Sequence, residues 1–339
     1  MLLKSTTTFA TAAALCLAGT TAIAETSKLK IQSHQSQEST QGKLLQEFVE
    51  NVSTMSGGDI EIEMFYSSAV VKSAETFDAA QTGILDCDMT NGSYQTGKNA
   101  AFQFVADTMG GYDTPMQYLA WVNFGGGREQ INELYSQYDM TFIGAHVGGQ
   151  ESLNSTKPLR GIEDLTNFKF RSPPGMESEI FASLGAKPVV MDFTEVFTAL
   201  ETGIVDGADA STLAVNNSIG IYDIAKHTTY PGFHSMSSDQ LACRTDAWEA
   251  LPTAHQKIIE IAHKALMADY VMFTLVENGE ALTQMPDKGV TIHNWSEEDR
   301  GKFREAAQEA WKEWSVKTPE AEAMVASHEA FLKRIGLAK

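Results

Sequence analysis

One arginine stands where the sequence could hold a small anion. Phe168 and Phe170 alternate with Lys169 and Arg171, which predicts a strand that ends at Pro173-Pro174-Gly175. In open α/β sheets, ligands bind beyond the carboxyl ends of the strands. Because a guanidinium can hold a carboxylate through two parallel hydrogen bonds, we expect Arg171 to bind an organic acid. The alternative is a surface arginine in an ion pair.

Residues that could carry catalysis form no recognisable motif. The sequence contains no P-loop, no Gly-x-Gly-x-x-Gly, no His-Glu-x-x-His, no Gly-x-Ser-x-Gly and no EF-hand loop. Its eight histidines lack metal-binding spacing, and His255 and His263 fall on a predicted helix. We therefore predict a binding protein and not an enzyme.

The chain that must position Arg171 alternates strands and helices, which indicates an α/β fold. Apolar positions predict a first strand at Leu29 and Ile31, a helix over 44–55 and a strand over 60–64. The last third is predicted to be helical, with one helix of roughly 50 Å over 252–285 and one or two helices over 297–335. Further helices are predicted near 74–83, 114–123, 128–138, 174–184 and 193–202, and further strands near 84–90, 140–147, 187–191, 204–209 and 239–244.

Two segments 120 residues apart are similar to each other. Residues 77–86 and 197–206 share six of ten positions, and each predicts a helix that ends at a glycine before a short strand. Because the spacing is far longer than a solenoid repeat, we interpret the segments as the same unit in two lobes. The alternative is chance similarity between two amphipathic segments.

The N-terminal segment and the composition indicate where the protein is located and which partners it can have. Lys4, an apolar stretch and Ala22-Ile23-Ala24 predict a signal peptide over 1–24 that is cleaved after Ala24, so the protein is expected in the periplasm. A membrane anchor is the alternative. With 339 residues, two domains are expected. A net charge of −19 argues against nucleic acid as a partner.

Two cysteines follow the signal peptide, Cys87 and Cys243. The periplasm permits a disulfide. Both residues lie in predicted strands, however, and could equally be small buried apolar side chains. Nothing in the sequence measures their separation, so we favour unpaired thiols and leave the disulfide open.

The stretch around Arg171 resembles the DctP-type solute-binding proteins of tripartite ATP-independent periplasmic (TRAP) transporters. The resemblance covers nearly the whole chain after the signal. It implies a two-lobed α/β periplasmic binding protein of type II-like architecture, with a mixed sheet flanked by helices in each lobe, a long interdomain helix and a helical C-terminus. It also implies that Arg171 pairs with the ligand carboxylate. The matching pieces are residues 159–165, 168–171, 184–188, 195–200 and 203–207.

A narrower resemblance is to the 2-oxoacid- and lactate-binding members. Residues 91–99, 124–129 and 230–234 are similar to segments of those proteins. Those relatives hold a metal ion beside the anion, which implies a Na⁺ or Ca²⁺ ion here with Gln150 and Asp209 as candidate ligands.

The chain also departs from those relatives. Ser235 stands where they carry an acid, and Ala210 stands where they carry tryptophan. A smaller or differently shaped acid, or a sulfonate, is therefore an alternative ligand. Further residues expected to line the pocket are His34, Tyr66, Tyr94, His234 and Ser235, with ordinary loop packing as the alternative.

These observations predict a protein that captures a small organic acid anion, such as a 2-oxoacid, a hydroxy acid or a sulfonate, and delivers it to TRAP membrane subunits. One lobe is expected over 25–150, completed by about 238–290, and the other over 151–237, with packing from the helices of 296–339. A homodimer through the C-terminal helix is a further option. The alternative functions are a sensory periplasmic receptor for the same ligand class and a periplasmic enzyme.

Overall fold

The computed structural model describes residues 26–338, so the predicted signal peptide lies outside the described part of the chain. Its strands are β1 (Ser27–Ser33), β2 (Ile60–Phe65), β3 (Cys87–Asn91), β4 (Met140–Val147), β5 (Asn154–Ser155), β6 (Lys169–Ser172), β7 (Lys187–Val190), β8 (Gly207–Ala208), β9 (His227–Thr229), β10 (Ser238–Arg244) and β11 (Thr291–His293). Its helices are α1 (Thr40–Met55), α2 (Thr76–Gln81), α3 (Phe102–Ala106), α4 (Pro115–Phe124), α5 (Gly127–Ser136), α6 (Met176–Ser183), α7 (Val196–Glu201), α8 (Leu213–Ser218), α9 (Ile221–Ile224), α10 (Thr245–Glu249), α11 (Thr253–Gln284), α12 (Glu297–Ser315) and α13 (Pro319–Arg334).

Within residues 26–338 these strands form two mixed sheets. The five-stranded sheet has the order β2-β1-β3-β10-β4, and the six-stranded sheet has the order β11-β9-β5-β8-β6-β7. In the first, β1 pairs parallel with β2 and β3, and β10 runs antiparallel to β3 and β4. In the second, β6 pairs parallel with β7 and β8. The predicted α/β class with a mixed sheet in each lobe is confirmed.

The long helix near the C-terminus connects the two parts of the molecule. Helix α11 has 32 residues, which gives a length of about 48 Å. It packs against α1 and β4 beside the five-stranded sheet and against α8 beside the six-stranded sheet. The predicted long helix is confirmed, and two further helices, α12 and α13, follow it. No helix within the described residues is long and apolar enough to cross a membrane.

The two similar segments do form the same unit. Helices α2 and α7 each follow a short 3₁₀ turn, and the hydroxyls of Thr82 and Thr202 donate to the carbonyl four residues earlier. Gly83 and Gly203 then take left-handed φ values of 81° and 70°, which glycine adopts without steric cost. The strands start later than predicted, at 87 and 207, because residues 83–86 and 203–206 form the turns.

The preference for unpaired cysteines is wrong. Cys87 in β3 and Cys243 in β10 form a disulfide, with Sγ atoms 2.01 Å apart. The two strands are antiparallel neighbours, and the two cysteines lie directly opposite each other in the register. Sequence spacing could not show this because 156 residues separate them along the chain.

Candidate functional site

A cavity of about 50 Å³ lies between the two sheets. Residues after β1 and β3, at the end of β4 and at the start of β10 form one wall. Residues of β6, of the start of α6 and of the segment after β8 form the other. Because one water needs roughly 10–15 Å³, the cavity has room for a few waters or one small ligand. This location agrees with the rule that ligands bind beyond the carboxyl ends of strands.

Arg171 is a buried cation in this cavity. Its residue is 2% exposed, and the backbone holds the side chain in place. Nη1 donates to the Asp209 carbonyl at 2.6 Å, and Nε donates to the Met191 carbonyl at 3.2 Å. Among residues 26–338, Nη2 has no hydrogen-bond partner and no carboxylate oxygen lies within 4.0 Å of the guanidinium. A buried charge without a contacting carboxylate is costly, so this guanidinium is prepared to pair with an anion in the cavity.

The wall from the five-stranded sheet carries a buried ion pair. Nε2 of His34 lies 3.2 Å from Oδ2 of Asp239. Burial opposes the charged form of His34, but Asp239 outweighs that effect and raises its pKa. Burial likewise opposes ionisation of Asp239, and His34 lowers the pKa of that carboxyl below its ordinary value. Nδ1 of His34 is buried and has no partner among the described residues, so it remains available to a ligand.

Tyr94 lies on the same side of the cavity. Its hydroxyl accepts a hydrogen bond of 3.3 Å from the Phe193 backbone N–H. Burial raises the pKa of Tyr94 above its ordinary value, so the hydroxyl keeps its proton. Tyr94 can therefore donate this proton to an acceptor in the cavity.

Ser235 joins two buried carboxyl groups. Its Oγ lies 2.5 Å from Oδ2 of Asp107 and 2.9 Å from Oε2 of Glu151. A hydroxyl has one hydrogen to donate, so one of these two carboxyl groups must carry a proton to complete both contacts. Burial raises the pKa of Asp107 to about 7. Burial, together with the charge of Asp209, raises the pKa of Glu151 well above its ordinary value.

Asp209 is the ionised member of this acidic group. Burial alone would raise its pKa, but the charge and hydrogen bond of His234 and the charge of Arg171 lower it. Nε2 of His234 lies 2.8 Å from Oδ1 of Asp209. This His234 ring is fully buried and stands behind Asp209, outside the cavity lining.

Five of the eight predicted site residues line the cavity, His234 stands behind Asp209, and two lie apart from the site. Gln150 lies outside the cavity, where its amide donates to the Asp113 carbonyl at 3.1 Å. Tyr66 also lies outside the lining, half-buried against the core of the five-stranded sheet, and its burial raises its pKa to about 12. The predicted residues that line the cavity are His34, Tyr94, Arg171, Asp209 and Ser235.

Several lining residues are absent from the sequence-based prediction. Glu151 follows Gln150 directly and lines the cavity where Gln150 was expected to do so. Asp239 lies at the start of β10, a strand that the sequence predicts. The sequence does not indicate that the other acids line a cavity, because it has 44 aspartates and glutamates and acidic pairs arise by chance. The ionisable lining residues missed are Asp107, His146, Glu151, Glu177, Asp239 and Tyr270.

The metal ligands implied by the resemblance do not assemble here. The side chain of Gln150 is bound to Asp113 outside the cavity, so it does not meet Asp209. Within residues 26–338, one ligand atom each of Glu151, Asp209 and His234 lie within 4.8 Å of one another. The Nε2 atom of His234 already bonds to Asp209, however. The expected pair therefore does not fit, and we derive no binding step through a metal.

Comparison with known proteins identifies the family. The family model described as bacterial extracellular solute-binding protein, family 7 (DctP) matches residues 31–317. A monocarboxylate 2-oxoacid-binding periplasmic protein of Nostoc sp. is 26% identical over 288 residues, which cover 84% of this chain and 78% of the relative.

Solved structures agree with the sequence match. A TRAP periplasmic solute-binding protein of Rhodobacter sphaeroides, in an apo open structure, is 34% identical, with a TM-score of 0.72 over 92% of this chain and 99% of the other. A TRAP solute-binding protein of Bordetella bronchiseptica, with calcium and picolinate bound, is 25% identical, with a TM-score of 0.84 over 91% and 93%. The two-lobed fold is thus confirmed, and this chain belongs to the DctP family of periplasmic solute-binding proteins, which serve TRAP transporters and are not enzymes.

Proposed function

We propose that the cavity between the two sheets captures a small organic acid anion and that the protein delivers it to the membrane subunits of a TRAP transporter. The observation that carries this proposal is the buried Arg171 guanidinium, which has a free Nη2 and no carboxylate within 4.0 Å among residues 26–338. An incoming carboxylate would supply the missing counter-ion and would accept from the guanidinium.

The remaining contacts would come from both walls of the cavity. Tyr94 and His34 would meet the ligand from the side of the five-stranded sheet, while Ser235 and Asp209 would face it near the other wall. With ligand contacts on both sides, bound acid would favour the closed arrangement of the lobes. We propose that residues 25–150, completed by about 238–290, form one lobe, and that 151–237, with packing from 296–339, form the other.

The relatives support a small carboxylate as the ligand class. The Nostoc relative is named for monocarboxylate 2-oxoacids, and the Bordetella structure holds picolinate beside calcium. Both are compact acids, and the cavity has about 50 Å³ of internal volume, which suits a ligand of that class. We further propose export to the periplasm with cleavage after Ala24, because a basic residue, an apolar stretch and Ala22-Ile23-Ala24 precede that point.

A thermal-shift screen of small carboxylates and sulfonates tests this function. At a concentration about 100 times its dissociation constant, a ligand adds about 2.7 kcal/mol to the free energy of unfolding. The matched control for each acid is its neutral amide, which cannot supply a counter-ion to Arg171. We expect stabilisation by at least one acid and none by its amide. If no acid stabilises the protein, or if amides do so equally well, the proposal is wrong.

A further inference from the structure

The cavity has more acids than bases. Arg171 is the arginine in its lining, and the pairs His34–Asp239 and His234–Asp209 account for two of the buried carboxyl groups. Three carboxyl groups on the lining then remain without a basic partner among the described residues. These three are Asp107, Glu151 and Glu177.

Glu177 is the clearest of the three. It is 1% exposed and lies in the first turn of α6, at the edge of the cavity. Neither of its carboxyl oxygens meets a hydrogen-bond donor anywhere in residues 26–338. Burial and the neighbouring carboxyl of Asp209 raise the pKa of Glu177 well above its ordinary value, and the charge of Arg171 opposes that shift. A buried acceptor without a donor is costly to the fold, so a ligand that brings donors would relieve this cost.

The neighbouring acids have the same shortage of donors. Ser235 has one hydroxyl hydrogen for Asp107 and Glu151 together. The Met236 backbone N–H adds one contact to Asp107 at 3.3 Å. Glu151, Glu177 and Asp209 thus face the cavity with more acceptor positions than the protein can fill.

An ammonium group supplies what this acidic wall lacks. It carries three N–H donors and one positive charge, whereas the keto oxygen of a 2-oxoacid adds another acceptor. We propose that the ligand is a small zwitterion, whose acid head binds Arg171 and whose protonated amine binds Glu177, Glu151 and Asp209. This inference rests on the proposed function, because the same arginine takes the acid head.

A metal ion is the competing source of positive charge. The chain does not bring the side chain of Gln150 to the cavity. The nitrogen of His234 that lies nearest the acids is already bound to Asp209. These observations favour the amine.

Matched pairs of ligands test the inference. Isothermal titration calorimetry would compare alanine with lactate and pyruvate, glycine with glycolate, and taurine with isethionate, in a sodium-free buffer that contains a chelator. We expect the amino member of the best pair to bind at least about tenfold more tightly than its hydroxy partner. A preference for the hydroxy or oxo acid overturns the inference and leaves the proposed function intact.

Two further outcomes are decisive. If an oxoacid binds only after Ca²⁺ or Na⁺ is restored, the acids serve a metal and the inference is wrong. If no member of any pair binds although another acid of the thermal-shift screen does, the inference is wrong; if no acid binds at all, the proposed function falls with it.

Variants in helix α6 test whether the amine of the ligand binds beside Glu177. Glu177→Gln should reduce the ratio of amino to hydroxy affinity by at least about tenfold and leave the affinity for the hydroxy acid unchanged. Glu179→Gln is the matched control, since Glu179 lies on the same helix but is exposed and bonds to Trp314 outside the cavity. Glu151→Gln is a second variant if Glu177→Gln folds poorly, because Glu151 is also assigned to the amine. An unchanged ratio in both cavity variants overturns the assignment.

Discussion

Removing the guanidinium of Arg171 should abolish most of the binding energy of the acid head. Taking away one partner of a buried, hydrogen-bonded charge pair costs about 2–5 kcal/mol, and each 1.4 kcal/mol is about a tenfold change in the dissociation constant. Because Arg171 is 2% exposed, solvent does not screen this pair. Arg171→Ala should therefore weaken binding by roughly 30-fold to several thousand-fold. Arg171→Lys should weaken binding by an amount near the lower end of this range, because lysine keeps the positive charge but cannot donate two parallel hydrogen bonds.

The assay must separate binding from folding. The same side chain donates to the carbonyls of Met191 and Asp209, so Arg171→Ala also leaves two buried acceptors unsatisfied, at about 1–3 kcal/mol each. Urea denaturation measures that loss, and calorimetric titration of the folded protein measures affinity. Arg128→Ala is the matched control, because Arg128 is half-buried, donates to the Ile143 carbonyl at 2.9 Å and lies outside the cavity.

The affinities of Arg171→Ala and Arg128→Ala can refute the role of Arg171. If folded Arg171→Ala binds the best acid of the screen within about threefold of the parent protein, Arg171 is not the anion site, because that change is less than 1 kcal/mol. Equal losses in Arg171→Ala and Arg128→Ala would also refute the role, since they would indicate a general effect on the fold.

Three other properties follow from the structure. Replacing Cys87 and Cys243 by alanine opens a link across 156 residues and should lower the free energy of unfolding in urea by up to about 5 kcal/mol; an unchanged midpoint would contradict this. The raised pKa of His34 and the lowered pKa of Asp239 make their pair most stabilising between about pH 4 and pH 6.5, with loss as pH rises through the pKa of His34. Asp239→Asn should thus destabilise the protein more at about pH 5.5 than at about pH 9, and the opposite order would refute the assignment. An added Cβ at Gly203 meets no atom within 4 Å. Gly203→Ala should therefore lower the free energy of unfolding, measured by thermal denaturation, only by the cost of a left-handed φ in alanine, about 1–2 kcal/mol.

Long elements with regular apolar spacing could be predicted from the sequence. Strand β4 matches its predicted range of 140–147, and α11 begins and ends within a residue of its predicted range. Strands β5, β9 and β11 have two or three residues each, which is too short for any periodic pattern. They exist because neighbouring strands supply their hydrogen-bond partners, and that information is not local in the sequence.

The site was predictable only as far as its arginine and its strand ends. Arg171 stands near the end of one predicted strand, and Asp209 is the last residue of another. Gln150 and Glu151 are adjacent, and the backbone conformation alone decides that Glu151 lines the cavity while Gln150 points away. Glu177 gave no signal, because its lack of a donor depends on side chains that are distant in the sequence.

The bond between Cys87 and Cys243 turns the chain between them into a covalent ring. That ring contains β4 to β9, including Arg171 and Asp209. A single protease cut anywhere inside it leaves two fragments that stay joined until a reductant is added. The binding protein can therefore tolerate one nick within this region and still migrate as a single species on a non-reducing gel, a property that suits a protein exposed to extracytoplasmic proteases.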